Sequence, residues 1–270
     1  MQTIGFIGGG NMAQALIEGI LEKGLVKPKA VWVSDVRAER LAELKKRYGV
    51  QVTQVNIELT AAADTIILSV KPQVLGNLLD EIAGSLRQDA LILSIVAGKT
   101  CDFILDRLGP VQLVRVMPNT PALVGVGATG LFNAAASEVA FKTAISIFNA
   151  VGKSVVVDKE CLIDTVTAVS GSGPAYFFLL MEQMISAGVK LGLDEATATE
   201  LVLQTAKGAA LLAETRQKES ETPALLRKNV TSPGGTTEAA IKVFEAAHFG
   251  SLVQKALTAA RDRGKELSGG

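Results

Sequence analysis

The hydrophobic positions of this chain follow two patterns, and the pattern changes near residue 158. Before that point, short apolar runs alternate with stretches in which apolar residues recur every three or four positions. The runs predict β-strands, and the recurring positions predict amphipathic helices. Beyond Asp158 only the helical pattern persists. We therefore predict an α/β domain over residues 1–158 and an all-α domain over residues 159–270.

The apolar runs of the first half are nearly continuous, which is typical of a parallel sheet covered by helices on both faces. Turn or polar residues follow each run, at the edge where open α/β sheets hold ligands. The predicted strands are residues 3–7, 30–34, 65–70, 90–96, 111–116, 128–132 and 154–157.

A glycine-rich turn follows the first predicted strand and opens a helix, in the pattern G-x-G-x-x-A. Gly8 permits a tight turn, Gly10 lets the backbone approach a pyrophosphate, and Ala13 is small enough for close helix–strand packing. A plain tight turn is the alternative interpretation. The strand–turn–helix context favours a dinucleotide-binding domain of the Rossmann type.

Charged residues follow the second predicted strand. Asp35 stands where an acidic residue usually bonds the adenosine ribose of NAD. Ser34, Arg37 and Arg40 lie beside it and suit the 2′-phosphate of NADPH. The arginines fit equally well on the solvated face of the helix over residues 37–48. These residues therefore leave the choice between NADH and NADPH open.

Two further polar residues, Lys71 and Asn119, follow later strands at the same predicted edge. We interpret the Lys71 loop as a cofactor contact. Asn119 fits either a functional position or an ordinary loop position.

Composition narrows the classes of function. Lys and Arg number 27 and balance 27 Asp and Glu, which argues against a basic nucleic-acid surface. Two cysteines and one histidine leave no metal cluster, so we predict no metal site. The N-terminus lacks the features of a signal peptide. The most apolar run, residues 175–193, contains Glu182 and Lys190 and predicts a buried helix, not a membrane span. We expect a cytoplasmic protein that acts on a small molecule.

The helix predicted from Pro174 to about residue 191 is apolar around most of its circumference. Such a helix must be buried on nearly all sides, and one small bundle can hardly do this alone. We therefore predict a homodimer with interlocked helical domains. The apolar residues are Phe177, Phe178, Leu179, Leu180, Met181, Met184 and Ile185.

The segment 229–238 combines hydroxyl residues, Pro233 and two glycines with the start of a predicted helix. Gly234 and Gly235 can turn the backbone tightly, and Thr236 or Thr237 can cap the helix. The unpaired N–H groups of a helix's first turn suit a small anion such as a carboxylate. An ordinary helix–loop–helix turn is the alternative.

Five motifs in chain order together resemble those of pyrroline-5-carboxylate reductases, which make L-proline. The resemblance covers essentially the whole chain, and its last two motifs are the most distinctive. Besides the glycine-rich turn, the motifs are Val70-Lys71-Pro72, Met117-Pro118-Asn119-Thr120-Pro121, Ser170-Gly171-Ser172-Gly173-Pro174-Ala175-Tyr176 and Thr231-Ser232-Pro233-Gly234-Gly235-Thr236-Thr237.

The resemblance implies a Rossmann domain, an all-α dimerisation domain and NADPH or NADH as cofactor. It also implies an active site where the domains meet across the dimer, and assembly in some members as five dimers. Besides Asp35 and Arg37, the implied cofactor contacts are Gly8, Gly9, Gly10, Asn11, Met12, Ser34, Asn56, Val70, Lys71, Pro72 and Ala97. The implied substrate contacts are Glu160, Asn229, Ser232, Thr236 and Thr237.

The chemistry of this family suits a site without histidine, cysteine or metal, because a protonated cyclic imine accepts hydride readily once it is positioned. We expect the N–H groups of Gly234, Gly235 and Thr236, with the Ser232 hydroxyl, to hold the substrate carboxylate. We expect Thr237 to bond the ring nitrogen as the catalytic residue.

Two other functions compete with this interpretation. A β-hydroxyacid-dehydrogenase-like oxidoreductase needs a catalytic lysine as proton donor in the motif G-x-G-x-x-x-K-x-x-x-N. Here the lysine position holds Phe177 and the asparagine position holds Met181. A protein that handles pyridoxal phosphate needs a free lysine, and Lys71 at the dinucleotide edge is the tempting candidate.

Overall fold

The computed structural model describes residues 2–217 and 219–267. The chain divides into two compact units, one formed by Met1–Pro174 with Thr258–Gly270 and the other by Ala175–Leu257. The division predicted after residue 158 falls inside the first unit, and it stays a prediction.

The first unit is built on an eight-stranded sheet with the strand order β3-β2-β1-β4-β5-β6-β7-β8. Neighbouring strands are parallel, except that β7 runs antiparallel to β6. In chain order the strands are β1 (Ile4–Ile7), β2 (Val31–Ser34), β3 (Gln51–Thr53), β4 (Thr65–Leu68), β5 (Leu91–Ser94), β6 (Gln112–Met117), β7 (Gly127–Asn133) and β8 (Gly152–Val156).

Helices cover both faces of this sheet, and the alternation of side chains along β1 explains why. Ile4 and Phe6 pack into one apolar cluster with α1 and α2, whereas Ile7 packs into a second cluster on the opposite face. Continuous apolar strands therefore serve two cores at once. The helices of this unit are α1 (Asn11–Glu22), α2 (Ala38–Tyr48), α3 (Asn56–Ala62), α4 (Leu75–Ile82), α5 (Cys101–Leu108), α6 (Glu138–Asn149) and α7 (Leu162–Val166).

The strand order reverses beside β1, which pairs with β2 on one side and β4 on the other. In this register Ile7 is opposite both Ser34 and Leu68, so the three strands end level with one another. Such a reversal leaves a crevice at the carboxyl ends of the strands, where open α/β sheets bind ligands.

Three local predictions were wrong or incomplete. The short edge strand β3 and helix α3 were missed, because Gln51–Thr53 has no apolar run. Residues 160–170, which the sequence predicts only as part of the all-α domain, contain α7 followed by a π-helical turn, Thr167–Gly171. The last apolar runs, β7 and β8, belong to the same sheet, with β7 reversed.

The second unit is helical, as predicted. Asp194 accepts the N–H of Thr197 near the start of α9, and Thr222 caps α10 by accepting the N–H of Leu225. No helix in the described part of the chain has the length and apolarity to span a bilayer. The helices are α8 (Gly173–Lys190), α9 (Glu195–Gln217), α10 (Pro223–Asn229), α11 (Thr236–Ala246) and α12 (Phe249–Leu267), of which the ends of α8 and α12 extend into the first unit.

Helix α8 leaves large apolar side chains uncovered within one chain. Phe177 and Phe178 are 64% and 62% exposed, and Leu179, Leu180 and Met184 are exposed as well. Apolar exposure on this scale marks a surface that another protein surface covers.

Candidate active site

The glycine-rich turn has the geometry that a dinucleotide site needs. Gly8 adopts a φ of +99°, and a Cβ there would lie 2.3 Å from the carbonyl oxygen of Ser69. A Cβ at Gly10 would meet no atom within 4 Å. Gly10 is the N-cap of α1 and offers no side chain to its first-turn N–H groups, so those donors are left for an anion.

A cavity of about 840 Å³ opens at the carboxyl ends of β1, β2 and β4. Most of the predicted cofactor contacts line it. These are Gly8, Gly10, Asn11, Met12, Ser34, Asp35, Arg37, Asn56, Val70 and Lys71. Gly9, Pro72 and Ala97 are not among the lining residues. The cavity is also lined by residues that were not predicted as contacts, namely Ile7, Val36, Ser69, Val74, Asn77, Leu78, Glu81 and Ile95.

Asp35 organises the wall of this cavity. Its Oδ2 accepts the N–H of Gly9 at 2.9 Å, and its Oδ1 accepts both the backbone N–H and the Nε of Arg37 at 2.9 Å. Burial alone would raise the pKa of Asp35, but the hydrogen bonds from Arg37 and Gly9 outweigh burial and lower it from 3.8 to about 2. The carboxylate therefore stays ionised and joins the glycine turn to Arg37.

The two arginines beside Asp35 differ in role. Arg40 donates from Nε to the carbonyl of Gly9 at 2.6 Å and pairs with Glu43, and its side chain is 13% exposed. Arg37 is 59% exposed and lines the cavity. Arg40 therefore braces the glycine turn, while Arg37 presents a guanidinium to the cavity.

Three polar side chains that line the cavity form a short chain of hydrogen bonds. The buried Ser34 hydroxyl donates to Asn56 Oδ1 at 2.8 Å, and Asn56 Nδ2 donates to Glu81 at 3.0 Å. Lys71 is exposed and lines the cavity from the loop after β4. Hydroxyl, amide and ammonium groups thus all line the cavity.

Glu160, a predicted substrate contact, lies in the first unit on a buried charge cluster. Its Oε1 accepts the N–H of Cys101 at 2.7 Å and Nη1 of Arg115 at 2.8 Å, while Arg115 Nη2 lies 3.4 Å from Asp164. Burial, and then the Glu160 charge, raise the pKa of the Cys101 thiol, which makes it unreactive. Arg115 was not predicted as a functional residue, although a lone arginine inside an apolar strand signals a buried ionic partner.

Asn119 has a structural role, which decides between the two interpretations left open. Its Nδ2 donates to the carbonyl of Ser170 at 3.0 Å, and its Oδ1 accepts the N–H of Ala128 at 2.8 Å. The side chain is buried. It therefore ties the loop after β6 to β7 and to the π-helical turn.

In the second unit, the segment before α11 forms a tight turn around Gly234, whose φ is +72°. The predicted cap by Thr236 or Thr237 was wrong, because Gly235 is the N-cap and both threonines lie inside the helix. Glu238 reaches back instead and accepts the N–H of Gly234 at 2.9 Å. The N–H of Gly235 donates to the carbonyl of Ser232 at 3.0 Å. The N–H groups of Gly234 and Gly235, which we expected to hold the substrate carboxylate, are therefore engaged within the turn.

The first N–H groups of α11 remain without an acceptor in the helix, because its first helical bond runs from Ala239 to the carbonyl of Gly235. Ser232 and Thr236 are exposed beside them, and Thr237 is half-buried. Asn229 is the exposed last residue of α10. Among the residues that the structure describes, no group of three His, Cys, Asp or Glu side chains could hold a metal ion.

Comparison with known proteins covers both units of the chain. A profile described as pyrroline-5-carboxylate reductase dimerisation matches residues 160–267, and one described as NADP oxidoreductase, coenzyme F420-dependent, matches residues 3–98. A pyrroline-5-carboxylate reductase from Pseudomonas aeruginosa is 48% identical over 98% of this chain and 96% of its own length. The chain belongs to the pyrroline-5-carboxylate reductase family.

Solved structures of pyrroline-5-carboxylate reductases share the same fold. The one from Coxiella burnetii has a TM-score of 0.92 and 41% identity, and the match covers 99% of this chain and 98% of the other. The one from Plasmodium falciparum, solved with NADP bound, has a TM-score of 0.87 and 32% identity with the same coverage. The predicted Rossmann-type domain and helical dimerisation domain are confirmed.

Proposed function

We propose that this chain reduces 1-pyrroline-5-carboxylate to L-proline, with NADPH as the preferred hydride donor and NADH as a possible one. It is an NAD(P)H-dependent oxidoreductase that acts on a C=N bond. The observation that carries this conclusion is the joining of a Rossmann-type cavity to the dimerisation segment of this family in one chain. A cytoplasmic location fits this function, because reduced nicotinamide cofactors are made and used there.

The cavity of the first unit fits the adenosine and pyrophosphate parts of a dinucleotide. Gly10 and the first N–H groups of α1 suit the pyrophosphate, and Ser34, Arg37 and Asn56 suit a 2′-phosphate. Asp35 already accepts hydrogen bonds from Gly9 and Arg37, which favours NADPH over NADH. When bound, the reduced nicotinamide supplies the hydride.

We propose that the start of α11 holds the substrate carboxylate. The N–H groups of Thr236 and Thr237 lie in the first turn, at the positive end of the helix dipole. The Ser232 hydroxyl adds a donor, and charge-assisted bonds of this kind contribute about 1.5–3 kcal/mol each. Gly234 and Gly235, whose N–H groups donate within the turn, shape it around the carboxylate. Glu160 and Asn229 complete the proposed substrate contacts.

Positioning accounts for the chemistry at these residues. The ring nitrogen of the substrate holds or takes a proton, which makes the imine carbon electron-poor without a strong acid from the protein. The Thr237 hydroxyl bonds the ring nitrogen and fixes the face of the C=N bond that receives hydride. The reaction then forms the C–H bond and leaves the nitrogen as a secondary amine.

The dimerisation segment also supports a homodimer. We propose a homodimer in which the helical domains interlock through α8, with five such dimers forming a decamer. The exposed Phe177 and Phe178 supply the apolar surface that the interface needs. Sedimentation equilibrium tests this assembly, and a stable monomer at micromolar concentration contradicts it.

The direct test of function is oxidation of NADPH and of NADH by the purified protein in the presence of 1-pyrroline-5-carboxylate, with L-proline measured as product. We expect turnover with this substrate and none with β-hydroxyacids, because Phe177 and Met181 occupy the positions of the lysine and asparagine that those enzymes use. Turnover of a β-hydroxyacid without turnover of the imine overturns the proposal.

Thr237→Ala separates catalysis from stability. We expect kcat/KM to fall about tenfold or more, while the unfolding midpoint changes little because Thr237 is not the cap of α11. Thr215→Ala is the matched control, since its hydroxyl bonds the Leu211 carbonyl within α9. Near-normal turnover in Thr237→Ala refutes the catalytic assignment.

A further inference from the structure

Arg115 is a buried cation in the middle of the sheet. It lies on β6 with its side chain 3% exposed, and it faces the carboxylates of Glu160 and Asp164 at 2.8 and 3.4 Å. Its Nε atom is buried and has no partner within the described residues. A strand position of this kind favours an apolar residue, so the charge calls for an explanation beyond packing.

Glu160 links this cation to a loop at the carboxyl edge of β5. The same oxygen, Oε1, accepts from Arg115 and from the N–H of Cys101, the first residue of α5. The loop 97–100 leads directly into this N–H and contains Gly98, whose φ is +66°. A Cβ at Gly98 would lie 2.9 Å from the Cβ of Leu267, so the loop has little room to shift on that side.

The charge balance shows why Glu160 depends on Arg115. Two carboxylates approach one guanidinium, and Glu160 is a quarter exposed, whereas Asp164 is more buried. Without the guanidinium the two like charges would repel each other, and Glu160 has the easier route to solvent. The N–H of Cys101 would then lose its acceptor.

We propose that Arg115 is a positioning residue for the reduction. It holds Glu160 Oε1, and Glu160 in turn holds the start of α5 and the loop that contains Ala97. The Glu160 side chain is a quarter exposed, and its carboxylate is the proposed substrate contact. This inference rests on the proposed function, in which Glu160 contacts the imino acid and Ala97 the cofactor.

The first test is Arg115→Met in the full-length enzyme. We expect kcat/KM for 1-pyrroline-5-carboxylate to fall about tenfold or more, because the contacts made by Glu160 and the Ala97 loop are misplaced and not removed. The dissociation constant for 2′,5′-ADP, which probes the separate Ser34 and Arg37 end of the cavity, should stay within about twofold. Arg107→Met is the matched control, since Arg107 packs on Phe103 at the surface of α5.

A double-mutant comparison separates a positioning role of Arg115 from a general effect on stability. In a Glu160→Ala background, Arg115→Met should lower kcat/KM by less than about threefold, because the group that it positions is gone. Arg115→Lys, which can still reach one carboxylate, should recover part of the activity, and it carries the test if Arg115→Met does not fold.

Three outcomes would overturn the inference. These are unchanged kcat/KM in Arg115→Met, effects that add fully with Glu160→Ala, and an equal weakening of 2′,5′-ADP binding. Failure of the proposed function looks different, because the wild-type enzyme itself would then show no turnover of 1-pyrroline-5-carboxylate.

Discussion

Removal of the Arg37 guanidinium should weaken NADPH selectively. Arg37 is the arginine beside Asp35 that lines the cavity, and Asp35 fixes its guanidinium through two hydrogen bonds of 2.9 Å. A charge-assisted bond to a phosphate contributes about 1.5–3 kcal/mol. Because the side chain is 59% exposed, the lower end of that range applies. Arg37→Met should therefore raise the KM for NADPH about tenfold, since about 1.4 kcal/mol corresponds to one power of ten.

The KM for NADH should fall or stay nearly unchanged in Arg37→Met. It lacks the 2′-phosphate, and Asp35 without its arginine partner becomes free to accept the ribose hydroxyls. The assay is the KM for each cofactor at saturating 1-pyrroline-5-carboxylate, repeated at two ionic strengths. Salt should reduce the NADPH preference of the wild type and leave that of the variant nearly unchanged.

Arg47→Met provides the matched control for this experiment. Arg47 lies on α2, which begins directly after Arg37. It has a similar exposure of 53% and pairs with Glu18 instead of lining the cavity. Its loss should leave both KM values unchanged. Equal shifts for NADPH and NADH in Arg37→Met, or no shift for NADPH, would refute the assignment of Arg37 to the 2′-phosphate.

Four further predictions concern the glycine turn, Asp35 and helix α8. Gly8→Ala should destabilise the fold by about 2–5 kcal/mol in urea unfolding, because Gly8 has a positive φ and the new Cβ would clash with the Ser69 carbonyl. Gly10→Ala should fold normally but weaken NADPH binding about tenfold or more in a titration. Normal NADPH binding in Gly10→Ala would contradict the role of Gly10. Asp35→Asn should cost about 1–2 kcal/mol at neutral pH. Because the folded pKa is depressed to about 2, wild type should lose this advantage as pH falls from about 5 towards 2, and a constant difference contradicts the sign. Phe178→Glu should dissociate the dimer in sedimentation, and an intact dimer removes α8 from the interface.

Much of the fold could be predicted from the sequence because burial on both sheet faces leaves long apolar runs. Strands β1, β4 and β5 are fully buried, and each was located. Strand β3 was missed because it lies at the sheet edge, where Gln51 and Thr53 are tolerated. The direction of β7 does not show in its composition, since apolar alternation is the same in both directions.

The cofactor site was easier to predict than the polar network around it. Glycines with special backbone geometry, such as Gly8, leave a pattern in the sequence, because other residues do not fit. The different roles of Arg37 and Arg40 leave no such pattern in the sequence, because they depend on which guanidinium the fold places against the Gly9 carbonyl. The pairing of Arg115 with Glu160 joins residues far apart in the chain, so only the fold reveals it.

The N-cap residue of α11 could not be predicted from the sequence either. A threonine before an apolar stretch predicts an N-cap, but here Gly235 takes the extended cap conformation. Glu238 then supplies a carboxylate from inside the helix to the N–H of Gly234. Several residues in the segment were suitable for the same role, and local geometry selected among them.

The central claim is that backbone N–H groups at the start of α11 hold the carboxylate of an imino acid. A crystal structure of the enzyme with NADP⁺ and L-proline tests it most directly. We predict the proline carboxylate within hydrogen-bond distance of the N–H groups of Thr236 and Thr237, and the ring nitrogen beside the Thr237 hydroxyl. A proline carboxylate bound by other groups, away from the start of α11, would contradict the account.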